Sequence, residues 1–444
     1  MLRMATGQVG GTRSKNFMQR NKIYFVGIGG IGMSALAQLF LHQGKTVTGS
    51  DRDESPVTAM LAKKGIPVSI GHEQRNIPAD VELLIYSDAV PADNRERVRA
   101  REMNIPQTSY FEALGEVSKS MRTIAVAGTH GKTTTTAMLA AILKAAGKEP
   151  TAIVGSLVTD WGSNFLPGQN DLLVVEACEY RDHLLELLPE MLVITNIELD
   201  HTDFFPSLSA LQSTFRVAAE RVPKGGVIVT TPAEVNIAPI LGRVTAAIVD
   251  YTRVDVPTLS QIGEFNKMNA RAAKAAAQAA FPDISDDVTD TALRAFKGSW
   301  RRFEYKGETP HGAAVYDDYA HHPTAARKTI EAAREKFPQK KITVVFHPHL
   351  YSRTKDLFDD FVDALATADR ILLAPIYAAR EKDEGLVSSD MLAKAIAKKN
   401  KNVVSLPDFD AIRRELLESS AKKDLIITMG AGDIYKVAEQ VTEE

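Results

Sequence analysis

The sequence predicts an α/β protein with three domains. Short β-branched runs alternate with Ala- and Leu-rich helical stretches from residue 23 to the C-terminal end, which is the pattern of βα units on parallel sheets. The chain has 444 residues, too many for one hydrophobic core, and at roughly 100 to 200 residues per domain it allows two to four domains. Two glycine-rich loops, each between an apolar run and a helical stretch, begin separate blocks of the pattern.

The expected boundaries follow the ends of these blocks. Residues 1–20 are expected to form a flexible tail, and the domains are expected at 21–117, 118–299 and 300–444. The principal predicted strands are 22–26, 45–50, 67–70 and 83–87 in the first block, 122–127, 172–176, 192–196 and 226–230 in the second, and 314–317, 342–346, 370–373 and 425–429 in the third.

Composition excludes several classes of protein. The 53 Lys and Arg residues nearly balance 56 Asp and Glu residues, so neither nucleic acid nor an acidic membrane surface is an expected partner. The single cysteine, Cys178, cannot form an intramolecular disulfide, which fits a reducing compartment. No apolar run approaches the roughly 18 residues of a membrane span, and residues 1–20 lack the apolar core of a signal peptide. We therefore expect a cytoplasmic protein.

The first glycine-rich loop predicts a diphosphate site. It reads G-x-G-x-x-G from Gly27 to Gly32, with Gly29 and Gly30 between, and Asp51 follows at the end of the next predicted strand. Glycines let the backbone approach a diphosphate, which the free N–H groups of the helix N-terminus attract. A tight turn without a ligand is the alternative, and NAD, FAD and a UDP-sugar all remain possible ligands.

The second loop predicts a nucleoside triphosphate site of the Walker A type. Its backbone N–H groups can hold phosphates, Lys132 can neutralise the β and γ oxygens, and the Thr133 hydroxyl can reach Mg²⁺. The loop departs from G-x-x-x-x-G-K because Val126 stands at the first position, and a plain strand-to-helix turn is the alternative. The candidate residues are Gly128, Thr129, His130, Gly131, Lys132, Thr133 and Thr134.

Metal-binding candidates follow the next two predicted strands. Glu176 ends the run Leu172–Val175, and His201 follows Glu198 and Asp200 after the run 193–196. Ligands of parallel sheets collect at the carboxyl edge, where oxygen ligands suit Mg²⁺ and an imidazole can join an Mg²⁺ or Mn²⁺ shell. A solvated acid at Glu176 and an ordinary surface or core histidine at His201 are the alternatives.

The motifs resemble those of the Mur ligases over nearly the whole chain from about residue 22. The alanine-adding branch of the family is the most similar, in particular at HPHLYSRT. The matching segments are GIGGIGMS (27–34), GTHGKTTT (128–135), EACEY (176–180), TNIELDH (195–201), WRRFE (300–304), DDYAHHPT (317–324), HPHLYSRT (347–354) and MGAGDIYKV (429–437).

The resemblance implies a three-domain ATP-dependent ligase of peptidoglycan precursor synthesis. A Rossmann-like N-terminal domain would bind UDP-N-acetylmuramate, a central P-loop domain would bind ATP and Mg²⁺, and a Rossmann-like C-terminal domain would bind L-alanine. The lactyl carboxylate would become an acyl phosphate, which the alanine amine attacks. A monomer or a homodimer is expected, and a sister ligase that attaches a muramyl tripeptide is the nearest alternative.

The resemblance also assigns roles to single residues. Lys132, Glu176, His201 and His322 would be catalytic, Thr133, Glu176 and His201 would hold metal, and His321 is an alternative to His322 near the phosphates. The other implied contacts are Asn266 and Asn269 on the adenine side, Arg302 and Asp318 at the nucleotide, Gly29, Gly30, Gly32, Asp51, His72 and Asn94 at the UDP-sugar, and His349 and Arg353 at the amino acid.

Structural alternatives stay open for two of these groups. Asp317 and Asp318 could cap the helix that Pro323 begins, and Arg301 and Arg302 could belong to a solvated linker.

Competing functions remain as well. A nicotinamide dehydrogenase built on the first loop would leave Lys132, Thr133 and Glu176 without a role. A nucleotide-binding relative with weakened catalysis is suggested by Leu350, where alanine-adding ligases often carry Arg, and by Phe265, which replaces a usual His.

Overall fold

The computed structural model describes residues 17–379 and 381–443, which form three sheets with helices on both sides. The predicted α/β class is confirmed. The helices span Ile31–His42, Pro56–Lys63, Arg95–Glu102, Tyr110–Ser118, Lys132–Ala145, Leu208–Arg221, Glu264–Ala280, Asp286–Ala295, Pro323–Lys336, Tyr351–Asp356, Phe358–Leu365, Ser389–Ile396, Phe409–Ser419 and Tyr435–Glu443.

The first sheet is parallel throughout and has the strand order β3-β2-β1-β4-β5. The chain order reverses beside β1, and ligands of doubly wound sheets bind at the carboxyl edge of such a point. The first glycine-rich loop follows β1 there. The strands are β1 Lys22–Val26, β2 Thr46–Asp51, β3 Val68–Ile70, β4 Leu83–Tyr86 and β5 Gln107–Ser109.

The second sheet has the order β12-β11-β10-β6-β9-β7-β8, with only the β7–β8 pair antiparallel. The Walker A loop leaves the central strand β6, which lies between β9 and β10. Residues that follow β6, β9 and β10 therefore meet at one edge. The strands are β6 Arg122–Ala127, β7 Thr151–Val158, β8 Ser163–Leu166, β9 Leu172–Glu176, β10 Met191–Ile194, β11 Val227–Thr230 and β12 Ala247–Asp250.

The third sheet has the order β13-β14-β18-β15-β16-β17 and is parallel except for the β13–β14 pair. Its carboxyl edge faces the second sheet, since residues after β14 and β15 contact the loop after β10. The strands are β13 Glu304–Glu308, β14 Ala314–Asp318, β15 Lys341–Phe346, β16 Arg370–Leu373, β17 Val403–Ser405 and β18 Asp424–Met429.

The first two domains share apolar packing, whereas the third has its own cores. One cluster of buried side chains joins Phe25 and Phe40 of the first domain to Ile194 and Phe215 of the second. The clusters of the third domain contain only residues beyond 302. The third domain therefore meets the rest of the protein mainly through polar and charged side chains.

A buried polar network reinforces the contact between the first two domains. The Asn164 amide donates to the Ser34 hydroxyl at 2.8 Å, and its oxygen accepts from the Gln38 amide at 3.0 Å. All three side chains are almost fully buried.

Residues 17–20, which the sequence analysis places in a flexible tail, pack on the first domain in the structure. Residues 1–16 of that tail lie outside the described residues. Phe17 and Met18 pack against the first core, and the Lys45 ammonium lies 2.6 Å from the carbonyl oxygens of Met18 and Arg20. Residues 17–20 therefore belong to the first domain, because the apolar side chains at 17 and 18 bury themselves there. No helix among the described residues is long and apolar enough to cross a membrane.

Candidate functional site

The Walker A loop owes its shape to two glycines with positive φ. Gly128 has φ 132° and Gly131, directly before the helix Lys132–Ala145, has φ 83°. A Cβ on Gly128 would overlap the Thr195 hydroxyl, and one on Gly131 would overlap the Asn269 amide oxygen. Only glycine fits both positions, and the free N–H groups of the helix N-terminus are left to bind an anion.

Lys132 is held in the loop by an acid that the sequence analysis did not select. Its ammonium lies 3.0 Å from both carboxylate oxygens of Glu179, which is 1% exposed, and 2.5 Å from the Gly128 carbonyl oxygen. Burial alone would lower the pKa of Lys132, but Glu179, Cys178 and Glu176 together outweigh burial and the pKa is raised. The ammonium therefore stays charged. The signal for Glu179 was its place in EACEY, three residues after Glu176.

Thr133 and Glu176 lie together, which suits a hard cation. The Thr133 hydroxyl donates to the Glu176 carboxylate at 3.0 Å, and the other carboxylate oxygen accepts from the Gly155 N–H at 2.6 Å. A hydroxyl and a carboxylate are ligands that Mg²⁺ prefers, so the pair fits the predicted metal.

His201 lies beside Lys132's partner, since its Nε2 is 3.9 Å from the Glu179 carboxylate. Burial lowers the pKa of His201.

His130, Glu198 and His322 form a second cluster, in which ligand-capable atoms lie within 4.8 Å of one another. The hydrogen bond from His130 lowers the pKa of Glu198 to about 2, and burial lowers that of His322 to about 4. His322 Nδ1 accepts from the Thr324 N–H at 3.3 Å, while Nε2 lies 3.3 Å from the Leu199 carbonyl oxygen. The neutral ring therefore carries its proton on Nε2. His322, not Asp317 or Asp318, caps the helix Pro323–Lys336, so the capping alternative is wrong.

The two arginines in the segment before the third sheet contact different domains. Arg301 is 3% exposed and donates to Asp317 at 2.7 Å within the third domain. Arg302 Nη2 donates to the Thr133 hydroxyl at 3.0 Å. The alternative of a solvated linker is therefore wrong, because both guanidinium groups have specific partners.

Asp318 accepts a hydrogen bond from the backbone at the end of the same segment. Its carboxylate accepts from the Phe303 N–H at 2.8 Å and from the Ala320 N–H at 2.7 Å. Burial raises the pKa of Asp318 to about 6, against the opposing effect of Arg302.

Arg353, the candidate for the alanine carboxylate, is paired with the central domain. Its guanidinium donates to Asp200 at 2.8 and 3.0 Å, and Nη1 lies 3.1 Å from His349 Nδ1. Burial alone would raise the pKa of Asp200, but Arg353 and nearby histidines hold it well below its usual range. Asp200, within TNIELDH, was considered only as a neighbour of His201 in the sequence.

In the first domain, Asp51 supports the glycine-rich loop itself. Its carboxylate accepts from the Gly29 N–H at 2.7 Å and from the Arg52 N–H at 2.8 Å. Gly32 allows the Tyr110 ring to approach, since a Cβ there would lie 2.5 Å from that ring.

The other two candidates from this domain have protein partners. The Asn94 side chain caps the helix Arg95–Glu102. His72 lies 3.1 Å from the buried Glu96 carboxylate.

One cavity of about 900 Å³ is lined by the second and third domains and reaches Ile31 in the first glycine-rich loop. The Asn269 amide, which lies against the Walker A loop, donates to Asn266 at 3.2 Å. The predicted site residues that line the cavity are Thr129, His130, Gly131, Lys132, Thr133, Thr134, Glu176, His201, Asn266, Asn269, Arg302, Asp318, His321 and His322. Those outside its lining are Gly128, Gly29, Gly30, Gly32, Asp51, His72, Asn94, His349 and Arg353.

Three family models match successive parts of the chain. Residues 22–122 match the Mur ligase family catalytic domain, 126–245 the Mur ligase middle domain and 301–432 the Mur ligase glutamate ligase domain.

Individual relatives match over nearly their whole length. UDP-N-acetylmuramate–L-alanine ligase of Clostridium kluyveri is 36% identical over 96% of this chain and 99% of its own, and that of Clostridium novyi is 38% identical over 97% and 99%. Among solved structures, UDP-N-acetylmuramate-alanine ligase of Thermotoga maritima has a TM-score of 0.79 and 28% identity, covering 95% of this chain and 98% of its own. A murein peptide ligase of Psychrobacter arcticus has a TM-score of 0.70 and 25% identity over the same shares.

Proposed function

The chain belongs to the Mur ligase family, and from that premise we propose that it joins L-alanine to the lactyl carboxylate of UDP-N-acetylmuramate at the expense of ATP. One observation carries the proposal. A single cavity is lined by the Walker A loop, by third-domain residues and by Ile31 of the first glycine-rich loop. A reaction among ATP, a UDP-sugar and an amino acid needs such a three-sided cavity. The names of the curated relatives support the choice of substrates.

The first step is phosphoryl transfer to a carboxylate. An oxygen of the lactyl carboxylate forms a bond to the γ-phosphorus, the bond from that phosphorus to the β–γ bridging oxygen breaks, and ADP leaves. Two anions must approach each other, so the step depends on cations in the cavity. Lys132 and Arg302 fit this role, since one lies in the loop and the other reaches Thr133.

The second step forms the amide. The alanine amine attacks the acyl carbon, the bond from that carbon to the phosphate oxygen breaks, and the nitrogen gives up a proton. His322 would be a neutral neighbour of the phosphates at physiological pH because its pKa is lowered to about 4. We assign the alanine carboxylate to Arg353, whose planar guanidinium can hold a carboxylate bidentately, with His349 beside it. Asp200 already occupies one side of that guanidinium.

We propose Mg²⁺ as the metal, with Mn²⁺ as an alternative. Thr133 and Glu176 would hold it, and His201 would join from the same cavity. The cation would neutralise phosphate oxygens while charge moves between them.

The remaining contacts divide between the two nucleotides. Asn266, Asn269 and Asp318 would meet the adenosine, and the backbone of residues 128–134 would hold the phosphates of ATP. The glycine-rich loop of the first domain, with His72 beside it, would hold the UDP-sugar.

Two other functions lose support for specific reasons. A nicotinamide dehydrogenase has no use for Lys132 paired with Glu179 in a Walker A loop. A muramyl tripeptide ligase remains the runner-up because of the likeness to the murein peptide ligase. A cytoplasmic monomer or homodimer stays a prediction.

An ADP-release assay tests the proposal. The protein is given ATP, Mg²⁺ and UDP-N-acetylmuramate with each member of a panel: L-alanine, glycine, L-serine and the muramyl tripeptide. We expect release above background to require UDP-N-acetylmuramate together with L-alanine. Faster release with the tripeptide would assign the sister activity, and no release with any acceptor would point to the weakened relative.

A further inference from the structure

A fully buried carboxylate lies at the carboxyl edge of the first sheet with all its acceptor positions in use. Glu96 is 0% exposed. One of its oxygens accepts from the Tyr24 hydroxyl at 3.0 Å and from the Asn76 amide at 2.8 Å. The other lies 2.5 Å from the Ser50 hydroxyl and 3.1 Å from His72 Nδ1. Two carboxylate oxygens offer about four lone-pair positions, so this set saturates the group.

The network determines which nitrogen of His72 carries the proton. A carboxylate only accepts, so the Nδ1 atom that faces it must be an N–H. Ser50 has one proton, and its shorter contact is with Glu96 rather than with the imidazole. The neutral His72 ring therefore has an unprotonated Nε2. Among the described residues Nε2 has no hydrogen-bond partner, and the side chain is 20% exposed.

His72 stands where a nucleoside is expected. The preceding residue, Gly71, donates its N–H to the Asp51 carbonyl oxygen at 2.8 Å, so His72 adjoins the end of β2. In dinucleotide-binding folds an acid at that strand end accepts from a ribose hydroxyl. Here both carboxylate oxygens of Asp51 already accept backbone N–H groups, from Gly29 and Arg52. His72 Nε2 is a further acceptor at this edge, and no donor within residues 17–379 or 381–443 occupies it.

We propose that Glu96 is a positioning residue that holds His72 as an acceptor for an N–H or O–H donor of the uridine part of the substrate. The inference rests on the proposed function, since it requires a uridine nucleotide in the first domain. Uracil offers its N3–H, and the ribose offers its hydroxyls. A histidine with the opposite tautomer would present an N–H to these donors and repel them.

Glu96→Gln tests the inference through the tautomer. The amide oxygen of the variant is expected to turn toward the two donors Tyr24 and Asn76, which leaves its NH₂ group facing Ser50 and His72. The NH₂ group can only donate, so His72 must become the Nε2–H tautomer. We expect a roughly 10- to 100-fold weaker affinity for UDP by calorimetry, the range of a buried acceptor replaced by a donor. Affinity for ATP should not change.

Nitrogen-15 NMR of the full chain reads the tautomer directly. In its neutral ring, wild-type His72 should carry its proton on Nδ1 and the Glu96→Gln protein on Nε2. Tyr24→Phe is the matched control, because it removes a donor to the other Glu96 oxygen. It should leave both the tautomer and the UDP affinity unchanged. In a His72→Phe background, Glu96→Gln should cost no further affinity.

Nucleotide analogues identify the donor. A preference for UDP over CDP that is lost in Glu96→Gln would assign uracil N3–H, and a loss seen with 2′- or 3′-deoxy-UDP would assign a ribose hydroxyl. A wild-type protein that binds UDP but carries the His72 proton on Nε2 would overturn this inference and leave the proposed function intact. That measurement does not depend on the folding of any variant. Unchanged UDP affinity in a folded Glu96→Gln protein would also overturn it. A wild-type protein that binds ATP but no UDP would overturn the proposed function as well.

Discussion

Arg353 of the third domain donates two hydrogen bonds, at 2.8 and 3.0 Å, to one carboxylate oxygen of Asp200 in the central domain. Both side chains are less than a tenth exposed. If the domains separated, each charge would need water in place of its partner. The pair therefore ties the arrangement of the two domains to the residue that we assign to the amino acid.

Replacing Asp200 by Asn should weaken the contact between the domains. The change leaves a buried guanidinium without its counter-charge, which typically costs about 3 to 5 kcal/mol. We expect a lower midpoint of thermal unfolding and a larger radius of gyration by small-angle scattering. Asp363→Asn removes an exposed ion pair with Lys399 and should change neither quantity. An Asp200→Asn protein as compact and stable as the wild type would contradict this role.

Lys132→Ala should slow turnover strongly without unfolding the protein. The ammonium contacts the loop and Glu179 and not an apolar core, so circular dichroism should be unchanged. Loss of one preorganised donor to the phosphates should slow ADP release by about 10²- to 10³-fold or more. Lys144→Ala, at an exposed position in the last turn of the same helix, should release ADP at the wild-type rate. A folded Lys132→Ala enzyme with near-normal release would refute the assignment of the loop.

The stability of the protein should depend on Asp318 between about pH 4 and pH 6. Its folded pKa of about 6 lies above the ordinary value near 3.9, so the folded state holds a proton that the unfolded chain has lost. Stability from this group is therefore full below about pH 4 and falls as the pH rises through 6, by roughly 2 to 3 kcal/mol.

Denaturant unfolding of the wild type and Asp318→Asn across this range measures the effect. The variant carries a constant penalty from its altered hydrogen bonds, but the free-energy difference between the two proteins should change with pH. A difference that is the same at pH 4 and at pH 6.5 would mean that the Asp318 pKa is not raised.

The third domain should move as a body about the segment 298–302. Trp300 N–H donates to the Leu157 carbonyl oxygen in the central domain at 2.8 Å, whereas Arg301 is anchored in the third domain. Gly298 has φ 101°, and no apolar cluster of the described residues joins the third domain to the central one.

Scattering should therefore give a smaller radius of gyration with an ATP analogue and UDP-N-acetylmuramate than without them, because closure excludes water from the acyl phosphate. ADP alone offers a control, since it lacks the γ-phosphate and the second substrate. An unchanged radius at saturating ligand, in a protein shown to be active, would contradict the movement.

The sequence by itself determined the α/β class, the two glycine-rich loops and the residues that follow β6 and β9. These features are local, because a strand, a glycine turn and a helix start are each specified by a short run of consecutive residues. The short strands at 107–109, 247–250 and 403–405 are not predicted because few residues carry their pattern. The strands β7, β8 and β13 are not predicted either, because they form antiparallel pairs that lie outside the βα pattern. The motifs also carried the family resemblance, since each is a contiguous run.

Only the tertiary structure decided what the charged side chains contact. Glu179 pairs with Lys132, Asp200 pairs with Arg353, and Glu96 pairs with His72. The partners are separated by 47, 153 and 24 positions in the sequence, respectively. Asp51 and Asn94, expected at the substrate, also support a loop and a helix end, which the sequence did not indicate. The physical reason is that a buried charge must find its partner wherever the packing of whole sheets places one, and no local pattern in the chain records that distance.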